Sequence, residues 1–360
     1  MDGELTEAYQ RLHTLGPEFG GDEEGNHGLT NHAPMAAEVL VRRGRSHVVQ
    51  RWLDDYVPRL VELPATHEPI DGDSWPSALG DGSRIPDWSA YFSAQLQEHP
   101  WRQVLADWWP RLLPGIVAGA THGVIRVGHS VRALASSDAQ PLGDDVAALN
   151  ELAHGLAFWA GRSRTVPGVR KPAGRLDPAN ALELIEHLPD QTGRIADRVT
   201  KLGDLQSWPT STASLRPAVD DNDVLILLEA LIDAATLRYL RHGYGSPVLL
   251  VHTATAPNAV LHTLPSLPRH LWQPSLHAAW AASAAVVAAY EPAQSLPCDR
   301  ISRSLRVADP SSVLEHAVDH GDEHVIKFTD TALEVFGRTE NPGALAAALM
   351  CASLIESPSR

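Results

Sequence analysis

Apolar residues recur along this chain at helical spacing, and strict alternation of apolar and polar positions is nearly absent. The spacing predicts a helix over 4–15, followed by a loop through the Gly- and acid-rich "GPEFGGDEEGNHG". "TNHAPMAAEVLVRRG" predicts the next helix, with Thr30 or Asn31 to cap it, Pro34 in its first turn and Gly44 to stop it. "SHVVQRWLDDYVPRL" predicts another, and residues 64–86, rich in Pro, Gly and Asp, a long loop. Three helical stretches follow, punctuated by Pro100, Pro110 and Pro114, and then a clear helix in "DVAALNELAHGLAFWAGRS". Residues 163–178 and 203–222 read as connections around the long apolar helix "DNDVLILLEALIDAATLRYLRHG". "SPVLLVHTATAPNAVLHTL" opens with the only stretch that suits a strand, and a buried helix suits it as well. The last helices fall near 275–290, 310–336 and 342–356. With no recurrent strand–turn–helix alternation and no internal repeat, the expected class is mainly α. We expect a single large helical domain with long loops over 28–356, preceded by an N-terminal helix and acidic, Gly-rich loop over 1–27.

Composition narrows the function. Hydrophobic residues make up 44% of 360, as in a globular protein, and the formal charge is −15 with a pI near 5.6. No Lys/Arg cluster is long enough to track phosphates, which argues against nucleic acid and against an anionic membrane as partner. Cys298 and Cys351 give neither a disulfide framework nor a thiolate metal cage. The acidic "MDGELTEAYQ" carries no signal peptide, and no apolar run reaches roughly 18 residues, so the expected location is cytoplasmic. The dinucleotide fingerprint, the P-loop and the GxSxG elbow are all missing, so no tightly bound flavin or nicotinamide is expected. HExxH is missing too: His320 and His324 enclose "GDE", with Glu323 just before the second histidine.

What the chain does carry is histidine, 18 of them. His13, His47, His67, His99, His187 and His270 sit beside charged or loop residues and read as solvated. Others lie on apolar elements. In "EHAVDHGDEHVIKFTDTAL", His316, His320 and His324 are four residues apart, with Lys327 three further on. On one continuous helix His320, His324 and Lys327 form a polar stripe, while Val325, Phe328, Ala332 and Leu333 face a core. Such a stripe is either a solvated face or a set of groups that converge. In "GIVAGATHGVIRVGHSVRAL", His122, Arg126 and His129 line one face among small apolar residues. A buried polar line costs several kcal/mol unless it is hydrogen-bonded or bound to something. Hydrogen-bonded core histidines and ligands both satisfy that condition. His252 follows "PVLLV", where a core histidine is the plainer reading, and His32 stands at a helix start, where a cap is. Taken together, four separated segments each place a histidine on an apolar element, which is how a helical scaffold builds an inward-facing metal site. Nitrogen ligation suits iron, copper or zinc.

The stretches "TNHAPMAAEVLVRRG", "LPGIVAGATHGVIRVGHSVRAL", "LNELAHGLAFWAGR", "VLLVHTATAPNAV" and "HGDEHVIKFTDTALE" occur in the order of the questin oxidase-like family, and the resemblance runs from about residue 28 to about 350. The resemblance implies an oxygenase that opens a ring of an anthraquinone-like polyketide, by a formal Baeyer–Villiger oxidation or by carbon–carbon cleavage. It implies a mononuclear non-haem Fe(II) held by four histidines and a lysine carboxylated by CO2, with O2 as cosubstrate. A lysine ammonium has no lone pair, whereas a carbamate offers an anionic oxygen, which gives Lys327 a role beside His324. His122 and His129 are two turns apart, roughly 10 Å along the axis. We therefore assign His122 to the metal with His32, His252 and His324, and His129 to orienting a ligand or the substrate. His320 falls to the surface end of its stripe or behind the ligands. Arg126 is the candidate to clamp a phenolate or carboxylate, and a buried structural arginine is the alternative. Trp101, Trp108, Trp109, Phe158 and Trp159 either wall a flat aromatic or fill the core. Electrons come from the substrate or from a diffusible reductant, for which NADPH is a candidate, and a homodimer is a candidate assembly. Two other classes stay open: a zinc hydrolase or lyase on the same ligands, and a non-catalytic polyketide-binding protein.

Overall fold

The computed structural model describes residues 3–19, 30–137, 145–297 and 309–358. The chain is mainly α, with one two-stranded sheet among the described residues. It divides into two compact units, Met1–Arg164 with His262–Pro268, and Thr165–Leu261 with Arg269–Arg360. Cys298 and most of the expected acidic loop lie outside the described residues.

The first unit holds the longer helices α1 (Gly3–Leu12), α2 (Ala33–Arg42), α3 (Val49–Tyr56), α4 (Ile85–Glu98), α5 (Trp101–Leu112), α6 (His122–Ser137) and α7 (Val146–Arg162). Helix α7 is apolar nearly all round and packs against α4 and α6, so it lies at the centre of the unit. Helices α6 and α7 come close because Gly123 faces Trp159: a Cβ on that glycine would stand 2.7 Å from the Trp159 Cβ. Trp101, Trp108, Trp109, Phe158 and Trp159 are all buried and fill the core of this unit. Trp109 meets Trp159 edge to face at 5.2 Å, and the Trp159 indole donates to the Gly115 carbonyl.

The sheet was not foreseen. Leu15–Phe19 pairs antiparallel with Leu60–Glu62, matching Leu15 to Glu62 and Phe19 to Leu60 through an irregular register. The first strand contains Gly16 and Pro17, which signal a turn, and the second is only three residues long. Pairing rather than local preference makes these residues extended.

The second unit holds α8 (Asp221–His242), all but the last two residues of α9 (His252–Thr263), α10 (Trp272–Tyr290), α11 (Pro310–His320), α12 (Glu323–Thr339) and α13 (Pro342–Leu354). Asp220 caps α8 by accepting from the Asp223 amide at 2.8 Å. Helix α8 packs against α10, α12 and α13. Ile232, Val335 and Ala344 form one apolar cluster there, and Val313, Ala332, Leu345 and Ala348 another.

Of the two readings that "PVLLV" suited, the helix is found, with Pro247 opening a single turn before α9. Two other expectations need correction. Residues 203–222 contain the short helix Trp208–Ala213. The helix expected over 310–336 is two helices. Gly321 takes φ +81 and ends α11, and the Asp322 carboxylate restarts the chain as α12 by accepting from the His324 and Val325 amides at 2.8 and 3.0 Å.

Candidate metal centre

In the first unit, His32 and His122 come together. Asn31 accepts from the Ala33 amide at 3.0 Å and turns the chain into α2, leaving His32 at its N-cap. The His32 amide donates to the Tyr56 hydroxyl at 3.0 Å, which ties the turn to α3. His122 is the first residue of α6, and the chain enters that helix through three left-handed residues, Gly119 at φ +50, Ala120 at +57 and Thr121 at +67. A β-branched residue there is strained, at a cost of about 1–3 kcal/mol. The strained turn brings the Gly119 carbonyl onto His122 Nδ1. The rings of His32 and His122 then meet edge to face, 4.4 Å between centroids, and both residues are buried.

The second unit gathers His252, His324 and Lys327. His252 is the first residue of α9, and its Nδ1 lies 3.1 Å from the Leu249 carbonyl three residues back. Burial holds it well below the ordinary imidazole value, and the positive charges of His324 and Lys327 add to that. Its ring stands 5.7 Å from that of His324, the second residue of α12, at 72°. Lys327, one turn further along α12, is 3% exposed. Burial lowers its pKa to about 8, against the upward pull of Glu323 and Asp322. About one such amine in ten is then neutral at pH 7, against fewer than about one in a thousand for a free lysine.

One local device recurs in both units. His32, His122, His252 and His324 each stand in the opening turn of a helix or at its cap. In His122 and His252, Nδ1–H donates to a backbone carbonyl and Nε2 carries the lone pair. An imidazole fixed this way is prepared for a metal, because the backbone bond sets both tautomer and ring orientation. The donors of each unit therefore fit the metal they were expected to hold, in type and burial.

The other expected residues lie elsewhere. Arg126 is 1% exposed and grips Glu151 of α7 with two bonds, Nε to Oε1 at 2.5 Å and Nη2 to Oε2 at 2.8 Å. That pair occupies most of the fork foreseen for substrate. His129 donates from Nδ1 to Glu38 of α2 at 2.7 Å, beside Arg132, which grips the same carboxylate. The stripe of His320, His324 and Lys327 does not exist as one line, because Gly321 divides the helices. His320 instead ends α11, with Nε2 3.1 Å from the Ile355 carbonyl and Nδ1 accepting from the Asp322 amide.

Sequence reasoning missed four buried polar residues. Glu38 and Glu151 are acids inside the apolar runs "PMAAEVLV" and "LNELAHGLAF", and a charge in such a run is itself a signal of a buried partner. His154, on the same helix as Glu151, reaches the His13 carbonyl at 3.0 Å. Glu291, buried at the end of α10, is held by Arg238 through two bonds and by His187 at 3.3 Å.

The model of the questin oxidase-like family matches residues 43–135, which cover α3 to α6 with His122, Arg126 and His129. The match is narrower than the span of the resembling motifs and leaves out His32, His252, His324 and Lys327. No curated protein matches the chain. No helix among the described residues is long and apolar enough to cross a membrane. Over residues 43–135 the chain is similar to the questin oxidase-like family, whose name denotes an oxidase.

Proposed function

We propose that this chain is a non-haem iron oxygenase that opens a ring of a polycyclic aromatic, anthraquinone-like polyketide. His32, His122, His252 and His324 would hold Fe(II), with Lys327 as the carbamate, and bound iron would supply the activation of O2. The observation that carries the proposal is the shared preparation of the donors: each imidazole buried in a helix's opening turn, and Lys327 buried with its pKa lowered to about 8. A structural histidine needs no such arrangement, and a lysine gains nothing from 3% exposure unless its charge is altered. The match to the questin oxidase-like family supports the substrate class.

Within this proposal burial lowers the pKa of His252 and Lys327 and excludes water, and backbone carbonyls fix the tautomers of His122 and His252. Whether the flat substrate undergoes oxygen insertion next to a carbonyl or direct carbon–carbon cleavage follows from the substrate rather than from these residues. Electrons come from the substrate or from a diffusible reductant such as NADPH, because the sequence has no dinucleotide fingerprint. The setting proposed is cytoplasmic, with neither nucleic acid nor membrane as partner. Elemental analysis of the purified chain, paired with turnover in air of an anthraquinone panel, tests the proposal. Close to one iron per chain and oxygen-dependent ring opening are expected. Stoichiometric zinc in a protein that stays active with it would overturn the oxygenase and leave a hydrolase or lyase.

A further inference from the structure

We propose that Glu38, with His129 and Arg132, is a register lock that holds His32 against His122. The inference rests on the metal proposal only for its consequence, since the geometry stands by itself. Helix α2 carries His32 at its cap and Glu38 six residues on. Helix α6 carries His122 at its start and His129 seven residues on. At 1.5 Å per residue those separations are about 9 and 10 Å, so the helices run side by side with two matched rungs. The outer rung is the His32–His122 ring pair at 4.4 Å. At the inner rung Glu38 accepts from His129 Nδ1 at 2.7 Å and from Arg132 Nε at 2.8 Å. Arg132 Nη2 also stands 3.0 Å from His129 Nδ1, and both are donors that converge on the Glu38 carboxylate.

The other buried residues of α2, Ala33, Pro34, Met35, Ala36, Ala37, Val39 and Leu40, are apolar and pack without directional bonds, whereas Glu38 bonds α6 through fixed atoms. A buried ion cluster adds little to stability over an apolar equivalent but imposes one geometry on its partners. Arg42, one turn beyond Glu38, adds a weaker contact at 3.9 Å. Glu38 is thus a positioning residue, acting on the ligand pair through the helix it belongs to.

The test compares the wild type with Glu38→Gln and with the triple variant Glu38→Met, His129→Leu, Arg132→Met, which replaces the cluster with apolar groups of similar size. Three quantities are measured on the full chain: melting temperature, the His32–His122 separation in crystals grown without metal, and affinity for Co(II) followed by its visible absorption. The triple variant should melt no lower than the wild type, while the two rings move apart and Co(II) binding weakens tenfold or more. Glu38→Gln, which keeps the shape and loses the charge, should shift the separation in the same direction. If folded variants keep both the 4.4 Å separation and the Co(II) affinity, the lock is refuted. A wild type that binds no Co(II) would count against the metal proposal, and the ring separation would still decide the lock.

Discussion

His32 and His122 meet edge to face in the interior of the first unit, their rings 4.4 Å apart and 85° to one another. Two buried imidazoles this close cannot both be protonated without large cost, and a shared metal ion relieves the conflict. Replacing either with alanine should cut iron content at least tenfold. Folding should survive, since each ring stands at a helix end. Elemental analysis and circular dichroism on the same samples check this. Full iron occupancy in His32→Ala or His122→Ala would remove the pair from the ligand set.

Lys327 gives the sharpest chemical test. Lys327→Ala should abolish activity and most of the metal, while Lys327→Glu, with an anionic oxygen on a shorter stem, should recover part of the metal binding. Added bicarbonate should speed reconstitution of the wild type and leave the Glu variant unchanged. Crystallographic density for a carboxylate on Nζ is the direct check. Unaltered metal content in Lys327→Ala would mean that the buried amine serves packing alone.

The turn before His122 makes a prediction about stability. Gly119 is at φ +50, and a Cβ there would stand 2.6 Å from Phe158 Cζ. Gly119→Ala should therefore cost about 2–4 kcal/mol, from left-handed strain and overpacking together. It should also loosen His122, whose Nδ1 bonds the Gly119 carbonyl. Ala120→Gly, at φ +57, should instead relieve up to about 1 kcal/mol of left-handed strain, less what its buried methyl contributes. Chemical denaturation of both variants reads the two signs.

Two buried groups should mark separate acid transitions. Burial, helped by the charge of Arg126, lowers His154 from the ordinary 6.5 to about 3. The unfolded chain then takes up a proton that the folded one refuses. Stability from this group is complete above pH 6.5 and falls as pH drops toward 3. Burial pushes Glu38 upward, but Arg132 and His129 more than offset this and bring it from 4.5 to about 2. Its stabilisation is present above pH 4.5 and is lost as pH falls toward 2. His154→Gln should flatten the upper window by up to about 1.4 kcal/mol per pH unit, and Glu38→Gln the lower. Unfolding free energies measured from pH 7 downward separate the two. An unchanged slope above pH 5 in His154→Gln would show that another group carries the transition.

The sequence by itself determined the helical class, most helix positions and which histidines sit on apolar elements. Those properties are local: apolar spacing, caps such as Asp220, and stops such as Gly44 and Gly243 act over a turn or two. The break at Gly321 and Asp322 is equally local, a left-handed stop followed by a capping acid within "HGDEHV". Only the tertiary structure decided what each polar side chain meets. Arg126 could have clamped a substrate, and Glu151, 25 residues away, takes its fork instead. His129 and His122 share one helix face, yet Glu38 claims the first and His32 meets the second. The two short strands exist only because each finds the other across the 40 residues that lie between Phe19 and Leu60. Spacing along a helix fixes which side chains share a face. Which partner waits there depends on how distant segments pack, and a buried charge takes the partner that lets it stay out of water.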